Sequence, residues 1–307
     1  MTTALTFNET AVGLFPGQGA ITGQAGMPWQ SSPHWNLVEE ISDAAEINVG
    51  DVLLNLDTAD VVRTDRAQIA TFALSMIAYH DLLATGVRPR YLLGHSLGEF
   101  SALAASGLLS VHDAARLISV RGRAMATAAE MQPGTMVALM GGDANVREPL
   151  ESIDGAWIAN INGEGQVVMS GTATAIAHIL EVHKELGWRR ATPLAVGGAF
   201  HSPLMQPAQD ELDAALAQVT WHTTEHFLIA NVDGLRHNDA STWQTLLSRQ
   251  LTSPVEFLAA TLALPTSVDT TIEMAPGNVL TGLTKRIRGF SVQHAPTTPE
   301  EVRKVQL

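Results

Sequence analysis

The 307-residue sequence contains no cysteine, and only 5% of its residues are aromatic and 16% are charged. Without cysteine, disulfides, thiolate nucleophiles and thiolate metal sites are excluded. Apolar residues make up 46% of the chain but form no run long enough to span a membrane. No lysine or arginine precedes Arg63, so we expect no signal peptide. This composition predicts a globular, cytoplasmic protein with a substantial core.

Charge is unevenly distributed along the chain. The formal net charge is −13, which argues against general nucleic-acid binding because that needs a basic surface. The basic residues that are concentrated late in the sequence are Arg189, Arg190, Lys285, Arg286 and Arg288. We expect an acidic partner to dock near these five residues and not on residues 1–62.

The sequence is organised around Gly94-His95-Ser96-Leu97-Gly98, which fits the pattern G-x-S-x-G. Three apolar residues before it predict the end of a buried strand, and residues 97–106 predict a helix. A strand that turns sharply into a helix exposes Ser96 at the carboxyl end of a sheet and directs the N–H of Leu97 toward an oxyanion formed there. The alternative is an ordinary serine in a tight turn. The strand–turn–helix context favours a nucleophile, which then needs a base.

A glycine-rich turn also follows the first predicted strand, residues 11–15. This turn, Pro16-Gly17-Gln18-Gly19-Ala20, is not a P-loop, because no Gly-Lys-Ser/Thr follows it. A turn directly after a strand brings backbone groups and the Gln18 amide to the carboxyl end of the sheet, where open α/β sheets bind ligands. The alternative is a connecting turn with Gln18 in solvent.

Arg121 falls on the apolar face of a predicted helix that begins at a capping box, Ser110 to Asp113, and extends to about Ala129. A guanidinium on a buried face cannot lose its charge and needs an anionic or multiply accepting partner. The partner can be a structural carboxylate or carbonyl groups. It can also be a substrate carboxylate, held by two parallel hydrogen bonds.

His201 lies in a glycine-flanked turn, residues 197–203, directly before a predicted helix at 204–219. Histidine in such a position is often structural or solvated. Exposed turns also carry functional groups, and the same chain contains a serine that needs a base. His201 is therefore the leading candidate for that base.

A second histidine pattern, His222-Thr223-Thr224-Glu225-His226, fits the zinc-peptidase spacing H-x-x-E-H. That chemistry needs both histidines on one face of a helix. Here the segment contains two threonines and runs into a predicted strand, so it is expected to be extended. We therefore expect no metal site.

Residues 132–197 show a β-α-β-β-α-β order of predicted elements, which is typical of a ferredoxin-like subdomain. The predicted elements are at 135–140, 145–153, 157–161, 166–170, 174–186 and 189–196. We expect this small subdomain to be inserted into a core domain formed by residues 1–131 and 198–307.

Several short motifs along the chain occur in an order that is specific to one family, although each motif alone is weak evidence. They are Phe15-Pro16-Gly17-Gln18-Gly19, Gly94-His95-Ser96-Leu97-Gly98-Glu99, Arg121-Gly122-Arg123, Asn160-Ile161-Asn162, Phe200-His201-Ser202, Asn231-Val232-Asp233, Arg249-Gln250-Leu251 with Pro254-Val255, and Pro276-Gly277-Asn278-Val279-Leu280-Thr281-Gly282-Leu283. The set resembles malonyl-CoA:acyl carrier protein transacylases and the related acyltransferases of polyketide synthases, including free-standing ones. The resemblance covers about residues 11–288. It implies an α/β-hydrolase-like core with a parallel sheet and an inserted ferredoxin-like subdomain.

The resemblance also implies a role for each catalytic residue. Ser96 is similar to the acylated nucleophile, and His201 to its general base and acid. Gln250 matches the residue whose backbone carbonyl orients that histidine in place of a triad carboxylate. Gln18 and the N–H of Leu97 match the oxyanion hole.

For substrate binding, the resemblance implies that Arg121 holds the malonyl carboxylate. Gln68 matches a glutamine of the active-site wall, although the family often has Gln-Pro-Ala where this chain has Gln-Ile-Ala. Phe200 resembles the malonyl-selecting residue of polyketide acyltransferases, because its bulk would crowd an α-methyl group. His95 completes the implied substrate-binding residues.

The implied reaction moves malonyl from malonyl-CoA to the phosphopantetheine thiol of an acyl carrier protein, through a seryl ester, for polyketide or fatty acid biosynthesis. The coenzyme A thioester is the substrate, and no bound cofactor or metal is implied. The implied partners are malonyl-CoA and the carrier protein, with no nucleic acid and no membrane. A monomer is also implied.

Three other functions are compatible with parts of this pattern. A serine hydrolase or thioesterase shares the serine turn, but it should add a carboxylate between the serine and the histidine and an HGGG-type loop, and we find no such loop. A catalytically silent carrier-docking module needs none of these residues. A third possibility is transfer of a different acyl group between coenzyme A or carrier proteins.

Overall fold

The computed structural model describes residues 6–61 and 63–307. The described strands are β1 Asn8–Phe15, β2 Pro89–Gly94, β3 Thr135–Met140, β4 Ala156–Gly163, β5 Gln166–Gly171, β6 Arg190–Pro193, β7 Phe227–Ile229, β8 Arg236–His237, β9 Thr270–Glu273 and β10 Val292–His294. The α helices are α1 Leu37–Ala45, α2 Val49–Leu54, α3 Thr58–Val61, α4 Thr64–Ala84, α5 Leu97–Ala105, α6 Val111–Met131, α7 Glu148–Glu151, α8 Ala173–Val182, α9 Gln206–Leu216, α10 Ala240–Gln250, α11 Phe257–Leu262, α12 Val279–Ile287 and α13 Pro299–Val302.

The larger sheet has the order β10-β9-β1-β2-β7-β8 and is parallel except for β8, which pairs antiparallel to β7. The chain adds β2 and β7 on one side of β1, and β9 and β10 on the other. This reversal is a topological switch point, where open sheets leave a crevice at the carboxyl ends of their strands. Phe15 and Gly94 end β1 and β2 and lie opposite each other in the register.

Alternation along β1 divides the core between the two faces of this sheet. Val12 and Leu14 pack with Phe257 of α11 and Leu283 of α12 on one face. Phe15 belongs to the larger cluster that α4, α5 and α6 form on the other face. The predicted apolar positions of α4 at Ile69, Leu74, Ile77, Ala78 and Leu82 are all buried. The amphipathic helices thus cover both faces of a sheet whose central strands are apolar.

The smaller sheet is antiparallel, with the order β4-β5-β3-β6, and carries α7 and α8 in the predicted β-α-β-β-α-β sequence. This topology is ferredoxin-like, so the predicted fold class is confirmed. The prediction of a helix at 145–153 was too long, because α7 spans only Glu148–Glu151. The Asp143 side chain accepts the N–H of Asn145 at 2.8 Å and keeps that segment in a turn.

Two sets of contacts join the small sheet to the larger body. Val255, just before α11, bridges to Asn160 of β4, and its N–H and C=O bond to Ala159 and Ile161 at 2.8 and 2.9 Å. Arg147 donates to both carboxylate oxygens of Glu256, at 2.9 and 3.0 Å. These bonds fix one wall of a cleft between the sheets. None of the helices in the described part of the chain could cross a bilayer.

Candidate active site

The turn between β2 and α5 holds Ser96 in a strained backbone conformation, with φ 53° and ψ −111°. Glycines on both sides make this turn possible. A Cβ on Gly94 would lie 2.0 Å from the carbonyl carbon of Gly98, and a Cβ on Gly98 would lie 1.9 Å from the oxygen of Phe15. The G-x-S-x-G spacing therefore arises from close packing of the turn on β1, and it presents Ser96 at the carboxyl end of the sheet.

Ser96 and His201 form a hydrogen-bonded pair. The Ser96 Oγ lies 2.8 Å from Nε2 of His201, and Nδ1 of His201 lies 3.0 Å from the backbone oxygen of Gln250. A carbonyl can only accept, so Nδ1 carries the proton and Nε2 is free to accept the serine proton. Burial, and then the neighbouring Arg121 charge, lower the pKa of His201 to about 3, which keeps the imidazole neutral.

Arg121 lies beside this pair and is 1% exposed. Its guanidinium donates to the side-chain oxygens of Gln68 and Gln250 at 2.5 and 3.1 Å, and to Ser96 Oγ at 3.2 Å. In residues 6–61 and 63–307, these neutral oxygens are its only side-chain hydrogen-bond partners. Burial lowers the pKa of Arg121 to about 9, against the opposing charge of Glu99. Arg121 is thus a buried cation without a directly bonded anion, and it is held next to a nucleophile.

A cleft of about 480 Å³ opens in front of Ser96 and His201, between the larger sheet and the small one. Gln18, His95 and Phe200 are among the residues that line it. Arg121 and Gln68 lie one layer further in, where the Gln68 amide contacts the sulfur of Met125 at 3.3 Å. Met125 itself lines the cleft.

The two predicted oxyanion donors lie at the start of helical segments. Gln18 begins a short 3₁₀ helix, Gln18–Ala20, and is half-buried at the cleft. Leu97 is the first residue of α5, so its N–H has no acceptor within the helix. Both segments follow parallel neighbouring strands, β1 and β2, which brings them to the same edge of the sheet.

His95 has a fixed ring. Its Nε2 lies 2.8 Å from Oδ1 of Asn162 at the end of β4, and its ring packs 5.3 Å from that of Phe257. Burial lowers the pKa of His95, so the neutral ring donates its Nε2 proton to the amide oxygen. His95 therefore connects the serine turn to the small sheet.

Sequence reasoning missed three groups behind Ser96: the side chains of Glu99, Asn231 and Gln250. Asn231 Oδ1 accepts the N–H of Ser96 at 2.7 Å, and Gln250 Nε2 donates to the Ser96 carbonyl at 3.0 Å. Glu99 accepts from both of these residues. All three residues stand in the motifs identified above, but their roles depend on β7 lying beside β2 in the sheet.

Four of the five basic residues form a set that we call the basic rim: Arg189, Arg190, Lys285 and Arg286. All four are exposed. Arg286 lines the cleft and donates to the side chain of Gln166 at 3.1 Å. The register places Arg190 opposite Met140, and Met140 opposite Gln166.

Arg288 does not belong to this rim, and we correct its predicted docking role. Its guanidinium donates to the backbone oxygens of Leu264, Pro265 and Val268 at 2.8, 2.7 and 2.5 Å. These bonds, together with contact to the Phe290 ring at 5.0 Å, hold the loop before β9. The side chain is half-buried, and three of its five N–H donors bond to these carbonyls.

The histidine pattern at 222–226 is not helical: residues 222–224 have no regular secondary structure, and residues 225–226 form a bend before β7. Nδ1 of the buried His226 lies 3.0 Å from the backbone oxygen of Pro89, and Nε2 lies 3.4 Å from the Tyr79 hydroxyl. The described residues contain no cluster of side chains that could hold a metal ion. His226 is thus a hydrogen-bonded core residue.

Comparison with known proteins assigns the chain to a family. Residues 14–298 match the family described as acyl transferase domain. The chain belongs to the acyl transferase domain family. The resemblance drawn from the sequence motifs is therefore confirmed, and the family match extends over both sheets of the fold.

Members of this family with similar sequences and structures carry one activity in their names. The malonyl CoA-acyl carrier protein transacylase of Bacillus subtilis (strain 168) is 33% identical over 297 residues, which cover 94% of each chain. The crystal structure of malonyl-CoA:acyl carrier protein transacylase from Xanthomonas oryzae pv. oryzae has a TM-score of 0.89 at 32% identity, covering 96% of this chain and 97% of that one. A malonyl-transacylase solved in complex with a type II polyketide synthase acyl-carrier protein has a TM-score of 0.89 at 28% identity, covering 96% and 98%.

Proposed function

We propose that this protein is a malonyl-CoA:acyl carrier protein S-malonyltransferase, which transfers malonyl through an ester on Ser96 for fatty acid or polyketide biosynthesis. The observation that carries the proposal is the Ser96–His201 pair at 2.8 Å with the buried Arg121 guanidinium 3.2 Å from the same hydroxyl. A nucleophile beside a cation that has no directly bonded anion suits an acyl group that ends in a carboxylate. The family match and the names of the relatives support the same activity.

In the first half-reaction, Nε2 of His201 takes the Ser96 proton while Oγ attacks the malonyl thioester carbon. The N–H of Leu97 and the Gln18 side chain stabilise the oxyanion that forms. Collapse of this intermediate breaks the carbon–sulfur bond. The histidine proton goes to the leaving sulfur, which gives free coenzyme A and malonyl-Ser96.

In the second half-reaction, the same groups act in reverse. The phosphopantetheine thiol of the carrier protein gives its proton to His201 and attacks the ester carbon. The Ser96 oxygen leaves and takes the proton back. The Gln250 carbonyl, 3.0 Å from Nδ1, stabilises the imidazolium in both directions.

Arg121 provides selectivity for acyl groups with a terminal carboxylate. Acetyl or a long acyl chain leaves the buried guanidinium without an anion, whereas malonyl supplies one. Gln68 and Gln250 hold the guanidinium in place through their side-chain oxygens. Phe200, which lines the cleft next to His201, restricts space beside the acyl α-carbon.

The basic rim is the proposed docking surface for the acidic carrier protein. One member of the rim, Arg286, lines the cleft together with Gln166. A carrier bound there can insert its phosphopantetheine arm toward Ser96. The related malonyl-transacylase solved with its carrier protein supports this class of partner.

Three further parts of the proposal come from the sequence. The small subdomain comprises residues 132–197, in agreement with a four-stranded sheet that runs from Thr135 to Pro193, and residues 1–131 and 198–307 form the core domain. The enzyme acts as a monomer in the cytoplasm. The two half-reactions use only side chains, backbone groups, the coenzyme A thioester and the carrier thiol, so the mechanism uses no bound cofactor.

Intact-mass measurement tests the proposal directly. The protein is mixed separately with malonyl-CoA, methylmalonyl-CoA and acetyl-CoA, without a carrier, and spectra are taken within seconds, with Ser96→Ala alongside. We expect a malonyl adduct that is absent from Ser96→Ala. An acetyl adduct of equal yield would contradict the selectivity of Arg121. Free malonate without an adduct would identify a hydrolase instead.

A further inference from the structure

Both backbone polar groups of Ser96 are held by side chains from distant parts of the chain. Asn231 Oδ1 accepts the Ser96 N–H at 2.7 Å, and Gln250 Nε2 donates to the Ser96 carbonyl at 3.0 Å. These bonds fix the two peptide groups that flank a residue with φ 53°, a conformation that serine rarely adopts. Asn231 and Gln250 therefore determine where the nucleophilic oxygen lies.

One carboxylate is the acceptor that Asn231 and Gln250 share. Glu99 Oε1 accepts the backbone N–H of Asn231 at 2.7 Å, and Oε2 accepts from Gln250 Nε2 at 2.6 Å. Glu99 is the third residue of α5 and is only 1% exposed. Its position in the first turn of the helix favours a negative charge there. The mechanism described above gives Glu99 no role.

An ionised Glu99 permits only one orientation of the Gln250 amide. In the observed orientation, Oε1 accepts from Arg121 at 3.1 Å, while Nε2 donates to Glu99 and to the Ser96 carbonyl. The reversed orientation would place Nε2 against a guanidinium donor and Oε1 against two acceptors. Each of the three hydrogen bonds would become a repulsive contact.

We infer that Glu99 is a positioning residue, whose ionised carboxylate orients Gln250 and Asn231 and, through them, Ser96 and Arg121. A protonated Glu99 would carry a hydrogen on one of its two oxygens, which would then face either the N–H of Asn231 or the Gln250 amide donor, and that anchor would be lost. The inference deepens the proposed function and rests on it for the reaction that is measured. Glu99 touches neither substrate nor the reacting atoms.

Glu99 is expected to gain or lose its proton within the pH range of ordinary enzyme assays. Burial raises the pKa of Glu99 to about 7, against the opposing effect of its two N–H donors. The charged groups that act on it are Arg121 from α6, which favours the carboxylate, and Asp233 from the loop after β7, which disfavours it. His201 has a pKa of about 3 and does not titrate in the same range. In the substrate-free protein, loss of Ser96 reactivity on mild acidification therefore reports on Glu99 and not on the catalytic histidine.

The test compares the wild type with Glu99→Gln and Glu181→Gln, from about pH 5 to about pH 9. Glu181 is an exposed residue of α8, so the same substitution there is the matched control. Two rates are measured: malonylation of Ser96 by malonyl-CoA, and labelling of Ser96 by phenylmethylsulfonyl fluoride. The second reaction needs Ser96 and His201 but no malonyl recognition.

In the wild type and in Glu181→Gln, both rates should fall as the pH drops through neutrality. In Glu99→Gln, both rates should be roughly 10- to 100-fold lower at the plateau, because one buried donor now faces another. The decrease of both rates at acidic pH should also be absent from Glu99→Gln. A Glu99→Gln variant that keeps the wild-type pH dependence, or a wild type without one, overturns the inference.

A second measurement uses only the wild type and so does not depend on the folding of a variant. A carboxyl group ionises with almost no enthalpy change, whereas an imidazolium ionises with a large one. The apparent pKa of the acid limb should therefore stay constant with temperature, and a strong temperature dependence would assign the limb to a histidine and reject Glu99. If labelling follows the predicted pattern while malonyl-CoA gives no adduct, the proposed function fails and the role of Glu99 stands.

Discussion

The Arg121 guanidinium donates a hydrogen bond of 3.2 Å to Ser96 Oγ, the same oxygen that lies 2.8 Å from His201. The cation and the base therefore meet at the nucleophile before any substrate is bound. This arrangement lowers the basicity of His201, because burial and the Arg121 charge both disfavour its protonated form. A substrate carboxylate that neutralises Arg121 will raise the pKa of His201, so malonyl binding itself strengthens the base.

Substitution of Arg121 by alanine should slow Ser96 malonylation by about 100-fold or more, since charged hydrogen bonds are worth about 1.5–3 kcal/mol each. Acetylation from acetyl-CoA should change far less, because acetyl has no carboxylate for the guanidinium to bind. The matched control is Arg123→Ala, on the exposed face of the same helix, where Ser119 at 2.8 Å is the one hydrogen-bond partner of the Arg123 side chain among the described residues. Rapid-quench mass spectrometry measures both adducts. Equal losses for malonyl and acetyl would show that Arg121 supports the nucleophile without selecting the substrate.

Phe200→Ser should widen the cleft beside the acyl α-carbon and improve the use of methylmalonyl-CoA relative to malonyl-CoA by about 10- to 100-fold. This range corresponds to the roughly 1–3 kcal/mol by which a hydrophobic pocket can discriminate between two substrates that differ by one methyl group. Competition between the two thioesters, read as the ratio of the two seryl adducts, gives the change directly. An unchanged ratio would mean that Phe200 does not limit the α-substituent.

Arg286→Glu should raise the apparent KM for the carrier protein by about 10-fold at low salt, and added salt should reduce the difference. Arg303→Glu is the matched control, because Arg303 directly follows α13 and pairs with Glu300 at 3.0 Å. The first half-reaction, measured without carrier, separates a docking effect from an effect on coenzyme A. A carrier KM that stays constant in Arg286→Glu would place the dock elsewhere.

Arg288→Ala should act on stability instead of on docking. The substitution removes three hydrogen bonds to backbone oxygens of the 264–268 segment, of which only that of Pro265 keeps a described donor, the N–H of Val268 at 3.0 Å. The melting temperature should therefore fall while the carrier KM stays unchanged. Differential scanning calorimetry and the carrier titration measure the two quantities. A raised KM without loss of stability would return Arg288 to the docking surface.

Buried histidines should make the fold sensitive to acid. Burial lowers the pKa of His226 to about 4, against 6.5 for an exposed imidazole, so the unfolded state binds a proton that the folded state does not. The contribution of His226 to folding stability is fully present above the pKa that it has in the unfolded chain, and it is lost as the pH falls below that value. His226→Asn keeps a donor for the Pro89 carbonyl and removes the titration. It should reduce the loss of unfolding free energy between about pH 7 and about pH 5 by up to about 2 kcal/mol, in urea titrations. An unchanged loss would assign the acid sensitivity to other groups.

The features that the sequence predicted were local ones. The serine turn could be predicted from a short pattern, because a side chain at Gly98 would collide with the neighbouring strand β1, whose register is fixed. The capping box at Ser110 predicts the start of α6 by itself. The stripe that buries Arg121 follows from helical spacing. The roles of Asn231 and the Gln250 side chain could not be predicted, because they depend on β7 lying next to β2 and on the end of α10 lying behind α5. Arg288 looked like a surface cation because nothing in the sequence shows which carbonyls fold back onto it.

The hydrogen bond between Gln250 and Ser96 joins residues that are 154 positions apart, and His201 lies 105 positions after Ser96. During synthesis at roughly 5–20 residues per second, the serine emerges from the ribosome roughly 8–30 s before its last anchor. The nascent chain therefore exposes a serine that has neither its base nor its backbone support. The incomplete chain therefore does not react with thioesters in the surrounding solution. Activity begins only when the final third of the chain has folded onto the first.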